Sequence, residues 1–396
     1  MKVALLGYGK TTRALAKRVE HCVFFDDKTQ EMYIDEEGFM VAPSFSYDPT
    51  AFDVTIPSPG IPPYNPMIQN AQHLISEYDF FAESMGHSVW ISGTNGKTTT
   101  TQMITHILAN IGAQSGGNIG EPVAMLDPKR YWVLETSSFT LHYTTKAKPN
   151  IYVLLPIRED HISWHGSFKG YVEDKLKPLG MMQEGDVAIV PKEYASIKSE
   201  AMVIGYEDAN ELAELFDIET KKLRFRGGFL LDSVLALCVQ KILTDRIDYE
   251  AMNAFVVDPH RQEEFVDSKG YLWVNDTKAT NIDATLACLD AYAGKNIHLI
   301  LGGDDKGVSL EPLFNYLKGK PIITYHIGAN EKRLSAMAKR YDVAFEECST
   351  LENAVAKIKE KLQKDEVAIL SPAAASLDQF SSYAHRGEAF KKAVLG

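Results

Sequence analysis

A chain of 396 residues is too long for one ordinary hydrophobic core, so two or three domains are expected. Hydrophobic residues at 45% and charged residues at 24% fit a water-soluble globular enzyme, and no stretch approaches the roughly 18 uncharged apolar residues of a membrane span. A net charge of −12 with no long basic run argues against a nucleic-acid footprint.

The chain opens with a short apolar strand, Lys2 to Leu6, a Gly7-Tyr8-Gly9 turn and a helix from Thr11 to Val19. A second strand, Cys22 to Phe25, ends at Asp26 and Asp27. This looks like the start of a dinucleotide-type fold, in which an acid after the second strand takes a ribose hydroxyl, but Thr12 stands where a third glycine is wanted. A plain βαβ unit without ligand is an equal reading. A strand from Asp53 to Ile56 and the rigid loop Pro57 to Pro63 follow, and a first domain is expected to end near residue 85.

Val89 to Thr101 then reads as strand, glycine loop and helix start. Gly93 and Gly96 take side chains away from both ends of the loop, so backbone N–H groups can converge on phosphate. Lys97 is placed for the outer phosphates and Thr98 for a magnesium ion, which makes a nucleotide site. Ile104, Ile107, Leu108 and Ile111 give the helix its apolar stripe, and Gly112 stops it. The loop is a variant, because the usual G-x-x-x-x-G-K-[ST] spacing wants glycine where Ile91 stands.

Further strands are expected at Tyr131 to Leu134, Ile151 to Leu155 and Val187 to Val190, in a mostly parallel sheet. Glu135 ends the first of these, where a carboxylate can face a phosphate-bound magnesium ion. His161, Trp164, His165 and Lys175 follow in a segment dense in polar chemistry, although a protonated lysine cannot ligate a metal. Leu230 to Leu243 is a helix apolar nearly all round and so should be buried. From about Asp258 a new βα alternation begins, with strands at Tyr271 to Val274, Ile297 to Leu301, Ile322 to His326 and Val367 to Leu370. The expected architecture is α/β in three domains: a Rossmann-like domain over 1–85, a central phosphate-loop ATPase domain over 86–257 and a Rossmann-like domain over 258–396.

GTNGKTT from Gly93, GNIG from Gly117, ETSSF from Glu135, DHISWHGSF with Lys175, PHR from Pro259, NDTKATN from Asn275, GGDDKG from Gly302 and SPAAASLDQF from Ser371 occur in this order. Together these blocks resemble the bacterial muramyl-peptide ligases over nearly the whole chain, and the D-glutamate-adding branch best. The resemblance implies an ATP-dependent acid–amino-acid ligase of peptidoglycan synthesis that joins D-glutamate to UDP-N-acetylmuramoyl-L-alanine through an acyl phosphate. It implies that Gly93, Thr94, Asn95, Gly96, Lys97, Thr98 and Thr99 hold ATP with Arg261, Asp276 and Lys278. Two Mg2+ ions would be held, one by Thr98 and Glu135, the other by His161 and a carbamylated Lys175. Asn118 would stand by the reacting groups as a catalytic residue beside Lys97, His161 and Lys175. Thr280, Lys306, Ser376, Leu377 and Tyr383 would hold D-glutamate, and Gly9, Lys10, Thr11, Asp26 and Gly60, with His161, the UDP substrate.

Three departures stand out. An H-N-x-x-N box that contacts adenine in the family is replaced by Phe229, Leu230, Leu231, Asp232 and Ser233; Asp305 adds a negative charge before Lys306; and Thr12 alters the first turn. Rivals are a folylpolyglutamate-synthase-like ligase, which would not need the first domain, and a catalytically impaired nucleotide-binding paralogue. A GTPase would need an N/T-K-x-D motif, which the sequence lacks, and a dehydrogenase would rest on Gly7 to Gly9 alone. Cys22, Cys238, Cys288 and Cys348 are scattered with no C-x-x-C pair, and the start MKVALLGYGK lacks a long apolar core. A cytoplasmic monomer acting on small molecules, without membrane insertion, is expected.

Overall fold

The computed structural model describes residues 1–128 and 130–396. Three sheets carry the described chain. The first contains β1 (Lys2–Leu6), β2 (His21–Asp26), β3 (Tyr33–Ile34), β4 (Met40–Pro43) and β5 (Val54–Pro57), in the order β3-β4-β2-β1-β5. All its pairings are parallel except β3 with β4. Thr12, in place of the third glycine, is fully buried and latches the first turn: its hydroxyl donates to Gly7 O at 2.7 Å and accepts from Gly9 N at 3.1 Å.

The second sheet is wholly parallel: β6 (Ser88–Ser92), β7 (Ala113–Gly117), β8 (Tyr131–Glu135), β9 (Ile151–Leu154), β10 (Val187–Pro191) and β11 (Met202–Tyr206), in the order β11-β10-β9-β6-β8-β7. The strand order turns at β6, which lies between β8 and β9. In an open α/β sheet such a turning point leaves a crevice at the carboxyl ends of the strands, and the glycine loop leaves β6 there. The apolar helix spans Gly228–Thr244 and is buried from Asp232 to Gln240, as its all-round hydrophobicity requires.

The third sheet joins β12 (Glu263–Val266), β13 (Leu272–Asn275), β14 (Ile297–Gly302), β15 (Ile322–Ile327), β16 (Phe345–Ser349) and β17 (Val367–Leu370), in the order β12-β13-β17-β14-β15-β16. Only β12 with β13 is antiparallel. Leu299 and Leu301 enter one apolar cluster and Ile300 another, so β14 is covered on both faces. That explains why it reads as a continuous apolar run. Contacts divide the chain into two compact units, Met1–Phe225 with Phe229–Phe255, and Arg226–Gly228 with Val256–Gly396. No helix among the described residues is long and apolar enough to cross a membrane.

Candidate active site

In the first unit the loop after β6 is built by close approach. Gly93 has φ 135°, and a Cβ there would lie 2.5 Å from Leu155 Cβ. Gly96 caps the helix Lys97–Ile107 with φ 88°, and a Cβ there would meet Asp232 Oδ1 at 2.8 Å. Gly93→Ala should therefore lower unfolding stability by roughly 2–5 kcal/mol and weaken ATP binding, since it adds left-handed backbone strain to overpacking. Urea denaturation and nucleotide titration of the variant check this; near-native stability would contradict the packing described.

Four predicted residues converge at the loop. Thr98 Oγ1 donates to Glu135 Oε2 at 2.8 Å, and Asn118 Nδ2 donates to Glu135 Oε1 at 2.7 Å. Lys97 Nζ donates to Gly93 O at 3.0 Å and Thr94 O at 2.8 Å, which holds the ammonium over the loop. Asn95 is exposed at the loop tip, while Thr99 is buried in the helix. A carboxylate and a hydroxyl side by side beneath a cation and a helix N-terminus make a hard-oxygen corner that suits Mg2+ and polyphosphate.

Lys175, from the helix Phe168–Leu176, is only 1% exposed. Its Nζ donates to Gly93 O at 2.8 Å and Ser92 Oγ at 3.4 Å and sits 4.7 Å from the centroid of the Tyr171 ring. Burial holds its pKa well below the usual lysine range, and the Lys97 charge lowers it further against the pull of Asp160, Asp174 and Glu135. His161 has φ 51°, and its ring packs 4.7 Å from Phe139 and 6.3 Å from Tyr171. Tyr171 thus faces both His161 and Lys175. An ammonium offers Mg2+ no ligand atom, whereas a carbamate on the same nitrogen would offer the anionic oxygen that the ion favours.

Of the residues expected to take the UDP substrate, Lys10 and Gly60 contact the segments that carry Asn118 and His161. Lys10 Nζ donates to Gly120 O at 2.8 Å, in the loop that carries Asn118. Gly60 O accepts from Trp164 Nε1 at 3.1 Å, next to the His161 segment. Gly9 caps the helix Lys10–Ala16, whose second residue is Thr11. Asp26 accepts from Tyr8 N at 2.9 Å and from Lys28 N at 2.8 Å, and it borders a cavity of about 620 Å³ shared with Tyr8, Lys28 and Tyr33.

In the second unit Asp276 is buried, accepting from Ser371 Oγ at 2.7 Å and Gln262 N at 3.2 Å. Burial raises its pKa to about 6, with Ser371 opposing the rise. Its ionised form therefore weakens the fold: stability falls as pH rises from the unfolded value near 4 through 6, and the whole penalty applies above that. Asp276→Asn should be more stable than wild type by on the order of 2 kcal/mol at about pH 8, with no gain at about pH 4, and should bind ATP less well. Guanidinium unfolding at both pH values measures the difference. Arg261 Nε is buried with no hydrogen-bond partner among the described residues, which leaves a donor for an anion. Lys278 Nζ lies 5.5 Å from the centroid of the Tyr383 ring.

Of the expected glutamate-site residues, Thr280, Lys306 and Leu377 are exposed, Ser376 is buried and Tyr383 starts the helix Tyr383–Leu395. The negative charge that Asp305 adds before Lys306 is paired in the structure. Its carboxylate pairs with the Arg333 guanidinium and accepts from Asn330 Nδ2 at 2.8 Å and Gly307 N at 2.9 Å, so it staples the GGDDKG loop. His260, Gln262, Lys306 and Ala373 have positive φ, a sign of loops held in strained shapes around this region. Sequence reasoning missed Arg386. It is 1% exposed and donates to Thr277 Oγ1 at 2.9 Å and to the carbonyls of Thr277 and Ala374, both at 3.0 Å, and so binds the NDTKATN loop to the SPAAAS loop. Asp232, read in the sequence only as part of a replaced asparagine box, accepts from Thr100 Oγ1 at 3.0 Å and ties the helix Gly228–Thr244 to the helix that follows the phosphate loop.

A parallel sheet with a lysine-bearing glycine loop at its turning point and a strand-end carboxylate on the loop's threonine define a phosphoryl-transferring ATPase class of site. Residues 91–227 match the Mur ligase middle domain. The chain is 52% identical to the UDP-N-acetylmuramoylalanine–D-glutamate ligase of Campylobacter jejuni (strain 81-176), over 100% of this chain and 99% of the relative. It is 46% identical to the enzyme of the same name from Helicobacter pylori (strain J99), over the whole of both chains. The MurF ligase of Thermotoga maritima, solved with ADP, shares the fold at TM-score 0.59 and 17% identity, over 94% of each chain. The chain belongs to the Mur ligase family, among the UDP-N-acetylmuramoylalanine–D-glutamate ligases.

Proposed function

We propose that the chain uses ATP to join D-glutamate to UDP-N-acetylmuramoyl-L-alanine, a cytoplasmic step in making peptidoglycan precursors. The observation that carries this is the convergence of Lys97, Thr98, Asn118 and Glu135 in a chain 52% identical, end to end, to a ligase of that name. The alanyl carboxylate oxygen attacks the γ-phosphorus, the bond to ADP breaks, and an acyl phosphate forms. The free amine of D-glutamate then attacks the acyl carbon, phosphate leaves, and the nitrogen loses a proton as the amide forms. A carboxylate alone would have to expel oxide, whereas phosphate leaves readily.

Two anions must meet in the first step, so the barrier is largely electrostatic. Lys97 lies over the loop and can follow charge onto the transferring phosphoryl group. Mg2+, when bound, neutralises phosphate charge. Thr98 and Glu135 suit one ion, and His161 with a carbamylated Lys175 the second. The carbamate forms when neutral Nζ attacks CO2: an N–C bond forms, one C–O π pair becomes the carboxylate, and a proton leaves the nitrogen. Burial favours the neutral amine this step needs.

Asn118 would orient the reacting groups, while Arg261, Asp276 and Lys278 would hold the nucleotide. Thr280, Lys306, Ser376, Leu377 and Tyr383 would take D-glutamate. Gly9, Lys10, Thr11, Asp26, Gly60 and His161 would take the UDP substrate, its uridine end suited to the cavity beside Asp26. We divide the work among residues 1–85 for the UDP substrate, 86–257 for ATP and 258–396 for the amino acid, in a monomer that meets only small molecules. A folylpolyglutamate-synthase-like activity is not favoured, because the 52% identity includes the first sheet. An impaired paralogue is not favoured either, since Lys97, Thr98, Glu135, His161 and Lys175 are all present. The test is phosphate release from ATP with UDP-N-acetylmuramoyl-L-alanine, comparing D-glutamate with L-glutamate, L-lysine and meso-diaminopimelate. D-glutamate should be strongly preferred, and equal rates with any of the others would defeat the assignment.

A further inference from the structure

We infer that His142, His165 and Asp174 form a binding site for one divalent transition-metal ion of the zinc class, separate from the nucleotide's magnesium. The three residues come from three neighbouring helices: His142 from Ser138–Tyr143, His165 from Ile162–His165 and Asp174 from Phe168–Leu176. His142 Nδ1 lies 2.9 Å from Asp174 Oδ2, and His165 Nδ1 lies 2.8 Å from the same oxygen. One ligand atom from each residue falls within 4.8 Å of the others. Zinc bonds of about 2.0–2.1 Å require ligand atoms roughly 3.3 Å apart in a tetrahedron, which these side chains reach by small rotations.

The chemistry favours a borderline-soft ion. Two imidazoles and one carboxylate suit Zn2+, Co2+ or Ni2+ far better than Mg2+, and they leave a fourth position for water. His165 Nε2 lies 3.0 Å from Ser138 Oγ, an outer partner that can hold the Nε2–H tautomer and leave a lone pair on Nδ1. On metal binding each Nδ1 proton now shared with Asp174 moves to Nε2 or to solvent, and a metal–nitrogen bond takes its place. The His165 side chain has no exposure and is held between Asp174 and Ser138. Asp174 is 15% and His142 33% exposed, so the cluster is closed at its base and open to solvent at one edge. Trp164 packs 5.2 Å from the His142 ring and 4.4 Å from the His165 ring, forming an apolar wall.

Asp174 precedes Lys175, yet the two serve different centres. Successive helical residues diverge by about 100°, and the Asp174 carboxylate meets the histidines while Lys175 Nζ meets Gly93 O. An occupied site would clamp the helix that carries Lys175 to the turn that follows His161.

The test is Co2+ titration of untagged, chelator-stripped full-length protein in excess Mg2+, followed by visible absorption. One equivalent of Co2+ should give the strong bands of a four-coordinate ion, and Zn2+ should displace it. His142→Ala and Asp174→Asn should each weaken binding at least about tenfold, and His161→Ala should leave it unchanged. Asn keeps the hydrogen bonds to both histidines but is a poor ligand, so unchanged melting with lost Co2+ binding separates ligation from mere structural bonding. Only weak six-coordinate bands, binding that survives Asp174→Asn and His142→Ala, or loss with His161→Ala would each overturn the site.

Discussion

Lys97→Met is expected to lower kcat by about three orders of magnitude while melting close to wild type. Methionine keeps the length and apolar stem of the lysine, so the change removes the charge and little else. The ammonium stands at the N-terminus of the helix Lys97–Ile107, bonded to the carbonyls of Gly93 and Thr94. From there it can strengthen its interaction as charge moves onto the γ-phosphoryl oxygens. Removing one donor aimed at developing charge costs about 2.7–4 kcal/mol, or roughly 10²–10³ in rate. The loss should fall on kcat more than on the KM for D-glutamate, because the loop carries none of the residues proposed to take the amino acid. Phosphate release under saturating substrates gives the rate, and a thermal melt controls for folding. A variant within tenfold of wild-type kcat would remove Lys97 from the chemistry.

The phosphate loop was legible because its function constrains residue type at fixed spacing. Only glycine tolerates the φ of Gly93 beside Leu155, and Lys97 and Thr98 must follow a helix start. Strands covered on both faces, such as β9 and β14, were legible as apolar runs. The strands that escaped lie at or near sheet edges. β7 is AQSGG, too small and polar to register as a strand, and it is held by its parallel pairing with β8. β16 is FEECS, with charged side chains where one face meets solvent. β12, EEFV, is the antiparallel edge of the third sheet.

Site residues were hidden for another reason: their meaning depends on partners far away in the chain. Asp305 read only as an added negative charge, because its partner Arg333 lies on the helix Glu331–Tyr341, well beyond its loop. Arg386 carries no motif that marks it in the sequence, yet it is buried and satisfied by loop carbonyls. Asp232 looked like a defect in an asparagine box. In the fold it is the contact between the buried helix and Thr100, so the change at that position has a structural consequence as well as any effect on base recognition.

Lys175→Ala should lose at least about two orders of magnitude in kcat, and millimolar acetate or propionate should restore part of it while leaving wild type unaffected. The reasoning starts from electrostatics. A buried ammonium beside the Lys97 charge is doubly disfavoured, first by desolvation and then by repulsion, so its pKa is lowered and the neutral amine is favoured. Addition of CO2 reverses the sign: the repulsion from Lys97 becomes attraction, while the remaining N–H can still donate to Gly93 O. Truncation to alanine leaves a cavity beside Tyr171 and Ser92 with the volume of the lost chain, where a small carboxylate can stand in for the carbamate. Because only the free base reacts with CO2, wild-type carbamylation should fall as pH is lowered and in CO2-depleted buffer, and activity should fall with it. Intact mass under native conditions measures the adduct directly. Full activity in Lys175→Ala, or an active wild-type enzyme that never carries the mass of one CO2, would reject the carbamate and with it the second metal position at His161.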